Sequence, residues 1–306
     1  MPWPLIAISA YFLLAVASLG DRFLLVGPLP KPKVFAFFIG IFSTFVIIIL
    51  FPFGFSLPED PFTILLSLTA GFIWIAALVA YFEAIFRTEV SRVVPAVGAF
   101  VPIFTFLAIS FLSQETLSSK EGLAFALLIV GGVLITTKEF SLRYFFQRTS
   151  FPWIILAAFL FALGFILMKE VFLREPFING FIWIRLGGLP AAALLLFFSD
   201  VRQSVFQQKI GLKKQVFVPF LFFQSVAGGG MILQSLSVSL AKFSQVPLIN
   251  ALEGSRYLFL FIFVWLFAKL RPQLLKEEMR GKILFQKIAA GTIIILGILF
   301  LSIFNN

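Results

Sequence analysis

The sequence contains neither cysteine nor histidine. Disulfides, thiol nucleophiles, haem ligation and the usual zinc or copper sites are thereby excluded. The commonest general base is missing too. No carboxylate cluster converges along the chain, so no catalytic constellation can be assembled and an enzyme is not expected. Charge is also scarce. Asp, Glu, Lys and Arg make up 12% of the 306 residues, against about 25% in soluble domains. No Gly-x-x-x-x-Gly-Lys loop occurs, so ATP hydrolysis on this chain drives nothing. Neither a cofactor nor a metal is expected.

Apolar length is what the sequence has in abundance. Hydrophobic residues make up 60% of it, and the mean hydropathy is +1.06. Several apolar runs exceed about 18 residues, the length that crosses a bilayer as a helix. A membrane β-barrel would show alternating segments of about 10 residues, and none occur. The expected fold class is an all-α polytopic membrane protein with the lipid bilayer as a partner. The net charge of +10 then reflects basic loops and not nucleic-acid binding.

Ten transmembrane helices are expected, over Trp3–Leu19, Val34–Phe55, Phe62–Phe86, Val93–Leu112, Leu123–Thr137, Pro152–Met168, Phe177–Phe198, Val216–Leu240, Phe243–Ala268 and Ile288–Phe304. The apolar stretch Leu5–Val16 is followed by Ala17 in a sequence resembling a signal-peptidase site. No Lys or Arg precedes it, as a signal peptide requires, so it is expected to be kept.

The two halves resemble each other. Pro2-Trp3 opens span one and Pro152-Trp153 opens span six. Tyr81 through Ser91 aligns without gaps to Gln234 through Ser244, and glycines recur in spans five and ten. The shared order indicates a duplication. Residues 1–138 form one five-helix repeat, 139–150 a basic linker, and 151–306 the second repeat. Five is odd, so the second repeat enters the membrane inverted. Inverted repeats meeting at a midplane site are a transporter signature.

Span nine carries the sharpest candidate site. Glu253 and Arg256 stand in its middle, three residues apart and so on one helix face. An ionised side chain at that depth costs about 2.5 to 3.5 kcal/mol on insertion scales. The pair is either a self-neutralising structural ion pair or part of an ion-lined pathway. In the repeat alignment the two fall opposite Phe100 and Ile103, so charge is present in one half only. A guanidinium in low dielectric can take a carboxylate or phosphate through two parallel hydrogen bonds. Glu253 then holds Arg256, is displaced by substrate, or carries a coupling proton. Asn250 and Tyr257 stand one turn away as further donors.

Other substrate-binding candidates are Gln234, its repeat partner Tyr81, and Arg185 in span seven, which could instead snorkel to the headgroups. Gly228, Gly229 and Gly230 favour either a local helix break or close packing. Pro95 and Pro102 are expected to kink span four as a hinge or gate. The loops after odd-numbered spans hold 18 Lys and Arg, against 4 after even-numbered spans. The positive-inside rule therefore places both termini outside a bacterial-type cytoplasmic membrane.

The run Glu89-Val90-Ser91-Arg92-Val93-Val94-Pro95, followed by Pro102, Gln114-Glu115-Thr116-Leu117-Ser118, Gly122 and Gly131-Gly132-Val133, resembles the EamA-type transporters of the drug/metabolite transporter superfamily. Ser244 and Pro247 echo it in the second half, where the loop Lys269–Lys287 is longer and more basic than usual. The resemblance implies a central cavity lined by spans one, three, four, six, eight and nine, and alternating access. It implies a small-molecule substrate, export or exchange, and coupling to a proton or counter-substrate. Family members commonly keep their termini in the cytoplasm, opposite to the charge count here. The expected function is secondary transport of a small polar or anionic metabolite by a monomer or homodimer. The alternatives are flippase-like handling of a lipid-linked substrate, and a non-transporting membrane protein.

Overall fold

The computed structural model describes residues 3–24, 32–88, 90–113, 117–136, 150–206, 214–270 and 282–304. Every regular element among them is helical. The helices are α1 (Trp3–Leu24), α2 (Pro32–Leu50), α3 (Pro61–Arg87), α4 (Val90–Ser113), α5 (Ser119–Thr136), α6 (Phe151–Arg174), α7 (Phe177–Leu195), α8 (Ser199–Phe206), α9 (Lys214–Leu240), α10 (Val246–Ala251), α11 (Glu253–Leu270) and α12 (Lys282–Phe304). Among the described residues, 9 helical stretches are long and apolar enough to cross a membrane, and Trp3–Ser18 is a shorter apolar one. The chain is thus an α-helical polytopic membrane protein. Its outer surface carries bare apolar side chains such as Phe111, Leu112, Ile48 and Phe285, as a lipid-facing surface does.

Several boundaries differ from those expected: α1 runs to Leu24 instead of Leu19, α2 ends at Leu50 instead of Phe55, and α12 begins at Lys282 instead of Ile288. Span six does not stop at Met168 but runs on as α6 to Arg174, because Lys169 finds partners inside the protein. Span nine divides into α10 and α11 at Leu252. α8 lies within the connection after span seven. α5 begins at Ser119, ahead of Leu123, because a capping box starts it. Ser118 donates its backbone N–H to Glu121 Oε2 (2.9 Å), and the Glu121 N–H donates to Ser118 Oγ (3.3 Å). The linker 139–149, Glu89, Gln114–Thr116 and most of the Lys269–Lys287 loop lie outside the described residues.

The most extensive helix contacts all join residues 1–138 to residues 151–306. α1 packs on α9 and α11, α3 on α6 and α7, α5 on α12, α2 on α7, and α4 on α6 and α10. Lipid supplies no hydrophobic drive between helices, so such contacts depend on small residues that let backbones approach. α3 crosses α7 at Gly71, where a Cβ would meet the backbone of Ile184 and of Gly188. α5 crosses α12 at Gly131, where a Cβ would stand 3.1 Å from the Ile294 nitrogen.

One end of the bundle is bound together by polar side chains from both parts of the chain. Gln245 Nε2 donates to Glu121 Oε1 (3.0 Å). Arg174 lies 3.9 Å from Asp60, which also caps α3 by accepting from the Phe62 N–H (3.0 Å). The Ser56 N–H donates to Asn179 Oδ1 (3.0 Å), and Trp183 Nε1 donates to the Ser56 carbonyl (2.9 Å). Lys169, buried in α6, donates to the carbonyls of Ser239 (3.0 Å) and Ala241 (2.6 Å) at the C-terminal end of α9. A cation there satisfies carbonyls that the helix leaves without partners. Lys169→Met is expected to lower stability by about 1 to 3 kcal/mol, measured as an earlier thermal unfolding midpoint in detergent. An unchanged midpoint would show that those carbonyls need no cation.

Candidate functional site

The candidate site forms where α10 gives way to α11. Pro247, in the first turn of α10, suits a helix start. The helix lasts only from Val246 to Ala251, and Leu252 (φ −63°, ψ −10°) interrupts it. Ser255 then closes a tight turn, its N–H donating to the Leu252 carbonyl (2.9 Å). Glu253 stands in the first turn of α11, where the helix dipole favours an anion.

Two faces of α11 then part company. On one, Gly254 lies against Gly132 and the Leu128 carbonyl of α5, so the helix sits close to the first half. Ser255 is buried and donates back to the Leu252 carbonyl (2.7 Å). On the other face are the charges. Arg256 Nη1 lies 3.4 Å from Glu253 Oε1, and Tyr257 Oη donates to the same oxygen at 3.3 Å. Arg256 Nη2 donates to Ser18 Oγ of α1 at 2.6 Å. Side chains of Glu253 and Arg256 are 28% and 29% exposed, so the pair is half-buried within the protein. Gly98 of α4 leaves room beside the Tyr257 hydroxyl, 3.4 Å from where its Cβ would be.

A second layer supports the pair. Tyr11 of α1, fully buried, donates to the Ile249 carbonyl (2.8 Å), one turn ahead of Glu253. Gln234 of α9 donates to the Tyr11 hydroxyl (3.2 Å). Tyr81 of α3 packs edge-on against Phe161 of α6, with ring centroids 6.1 Å apart.

Of the residues singled out in the sequence, Glu253, Arg256 and Tyr257 thus come together, and Gln234 joins them through Tyr11. Asn250 does not. It is buried and donates to Thr105 Oγ1 of α4 (2.9 Å), tying α10 to α4. Arg185 stands apart, in a pocket of its own between α2, α3, α6 and α7. It is 7% exposed, at mid-helix, with its guanidinium over the Phe181 ring at 4.7 Å, and does not reach for a headgroup region. α9 runs unbroken through Gly228, Gly229 and Gly230. Gly230 packs against α1, where a Cβ would lie 3.1 Å from the Ala10 carbonyl oxygen. α4 is likewise continuous across Pro95 and Pro102.

Sequence reasoning missed Tyr11 and Ser18. Their spacing of seven, two turns of one helix face, was the available signal. Lys169 was missed because a hydropathy boundary fell on the residue before it.

No protein-family model matches the chain, and no curated protein matches it. Its fold is similar to that of a protein of known crystal structure, with a TM-score of 0.67 at 14% sequence identity, covering 98% of this chain and 95% of that one. At that identity the likeness is one of fold alone.

Proposed function

We propose that the protein is a secondary transporter of a small polar or anionic metabolite, working by alternating access between two inverted five-helix repeats. One observation carries this proposal. A partly exposed ion pair stands at a helix interruption in mid-span, and Ser18 from the other half of the chain reaches it. An ionised pair within a membrane-spanning helix is expensive and marks a pathway more often than a scaffold.

The packing pattern supports the repeat in part, since the α3·α7 contact has no α2·α9 counterpart of similar extent among the described residues. Exchanging α1 with α6, α2 with α7, α3 with α9, α4 with α10–α11, and α5 with α12 turns the α1·α9 contact into α3·α6. It turns α4·α6 into α1·α11, and leaves α2·α7, α5·α12 and α4·α10 as they are. The polar links among Asp60, Arg174, Glu121, Gln245, Ser56, Asn179 and Trp183 support closure of one end, the end with few Lys and Arg in its loops. The site then faces the basic, cytoplasmic side.

Alternating access is testable without knowing the solute, because the natural sequence has no cysteine. A thiol introduced as Tyr81→Cys should react with a membrane-impermeant maleimide from the basic side. Adding Glu121→Ala removes one charge-assisted link, and the balance should move by about tenfold toward labelling from the opposite side. Labelling from one side only, unchanged by Glu121→Ala, would contradict alternating access.

A further inference from the structure

We propose that α8, with Lys33 at the start of α2, is a docking surface for anionic phospholipid at the edge of the bilayer. α7 ends at Leu195, and the chain then tightens. The N–H groups of Leu196, Phe197 and Phe198 donate to the carbonyls of Ala193, Leu194 and Leu195 (3.0, 3.1 and 3.2 Å). The Phe198 carbonyl starts α8 by accepting from the N–H groups of Val201 and Arg202 (both 3.1 Å). α8 is amphipathic. Val201 is fully buried, and it and Val205 pack into the cluster of Val34, Phe37 and Leu195, which fixes the helix against α2 and the end of α7. Its other side is polar and exposed, with Ser199, Asp200, Arg202 and Gln203.

Two bare rings fix the depth of this segment. Phe197 and Phe206, at its two ends, are 82% and 72% exposed. In water each ring forgoes the gain of burial. Placed deeper, the same turns would carry Asp200 and Arg202 into hydrocarbon, where charge is expensive. The boundary between acyl chains and headgroups suits both, as it does for amphipathic helices generally. Charge then selects the lipid. The Arg202 side chain makes no hydrogen bond or ion pair among the described residues. Lys33 Nζ stands 3.8 Å from the centroid of the Phe198 ring, which holds a second cation beside the start of α8 and leaves its N–H donors for a further partner. Asp200, in the first turn where the helix dipole suits an anion, has an interaction of its own. Residues 20–33 and 196–214, which lead into and out of this surface, carry seven Lys and Arg against two Asp, so the local field attracts phosphate. A zwitterionic lipid brings its own cation with its phosphate and gains less.

The absence of cysteine allows a local reporter. The full chain carrying Gln203→Cys, labelled with bimane, would be reconstituted in phosphatidylcholine vesicles. Lipid brominated in its acyl chains would be added in stages, as phosphatidylglycerol or as phosphatidylcholine. Two basic groups at an anionic surface are together worth about thirtyfold in binding. Brominated phosphatidylglycerol should therefore half-quench the bimane at a mole fraction about tenfold below that of brominated phosphatidylcholine. Lys33→Gln with Arg202→Gln should remove this preference, and high salt should weaken it. Lys282→Gln with Lys287→Gln, the same loss of charge on α12, should keep it. Phe206→Ser should reduce quenching by both lipids. These variants should elute as the natural protein does on size exclusion, so that a lost preference is not a lost fold. Absence of quenching by either lipid overturns the placement at the bilayer edge. Equal quenching by the two lipids overturns the docking surface, as does a preference that survives Lys33→Gln with Arg202→Gln or that is lost as fully in the α12 pair.

Discussion

Arg256→Gln is expected to abolish both transport and stabilisation by anionic solutes, while leaving a folded protein. The guanidinium gives one hydrogen bond to Ser18 across the two halves (2.6 Å) and sits 3.4 Å from Glu253. A glutamine carries no charge with which to hold an anion, and it cannot offer two parallel donors. Truncation also leaves Glu253 with Tyr257 but without its cation. For a fully buried pair that loss would cost about 3 to 5 kcal/mol. Here both side chains are partly exposed, so about 1 to 2 kcal/mol is expected. The double variant Glu253→Gln with Arg256→Gln removes the stranded charge and should recover that stability without recovering anion binding. Thermal unfolding with and without a panel of anionic metabolites measures both effects. If the single variant still responds to the same compounds, the pair is structural.

The second large effect lies far from the charges. Gly71→Val is expected to prevent folding. A Cβ at this position would meet the backbone of Ile184 and Gly188, and backbone atoms cannot rotate aside as a side chain can. α3 would have to leave α7, taking Trp74 and Tyr81 with it. Even Gly71→Ala should cost more than about 4 kcal/mol, beyond the usual range for a point change. Gly122 is the control. Nothing stands within 4 Å of its added Cβ, so Gly122→Ala should be neutral or stabilising by up to about 1 kcal/mol. Size-exclusion profiles and unfolding midpoints of the three variants decide the matter. A monodisperse, stable Gly71→Val protein would show that α3 and α7 do not meet this closely.

The helices were legible in the sequence because bilayer thickness sets their length. Runs such as Phe62–Phe86 and Phe177–Phe198 were recoverable to within a few residues. Lys169 was not, because hydropathy charges a lysine for leaving water and cannot credit it with the Ser239 and Ala241 carbonyls. The interruption at Leu252 was equally hidden. Nothing at Leu252 itself breaks a helix, and the turn is held by Ser255 and braced by Tyr11 from another span. The Glu253–Arg256 pair was visible from spacing alone, since three residues on a helix leave little freedom. Its link to Ser18 was not, because it depends on which helix lies alongside. Gly228–Gly230 shows the opposite limit. Composition allowed a break or close packing, and the approach of Gly230 to α1 decides for packing in this state.

A transporter of this kind moves a small polar or anionic solute past Glu253 and Arg256. Proteoliposomes carrying either the natural protein or Arg256→Gln would be loaded with a mixed pool of metabolites, and the external medium would be followed by mass spectrometry. The expected result is selective, protein-dependent release of one or a few anionic solutes that stops in Arg256→Gln. Release no faster than from protein-free liposomes, or equal release from both proteins, would contradict it.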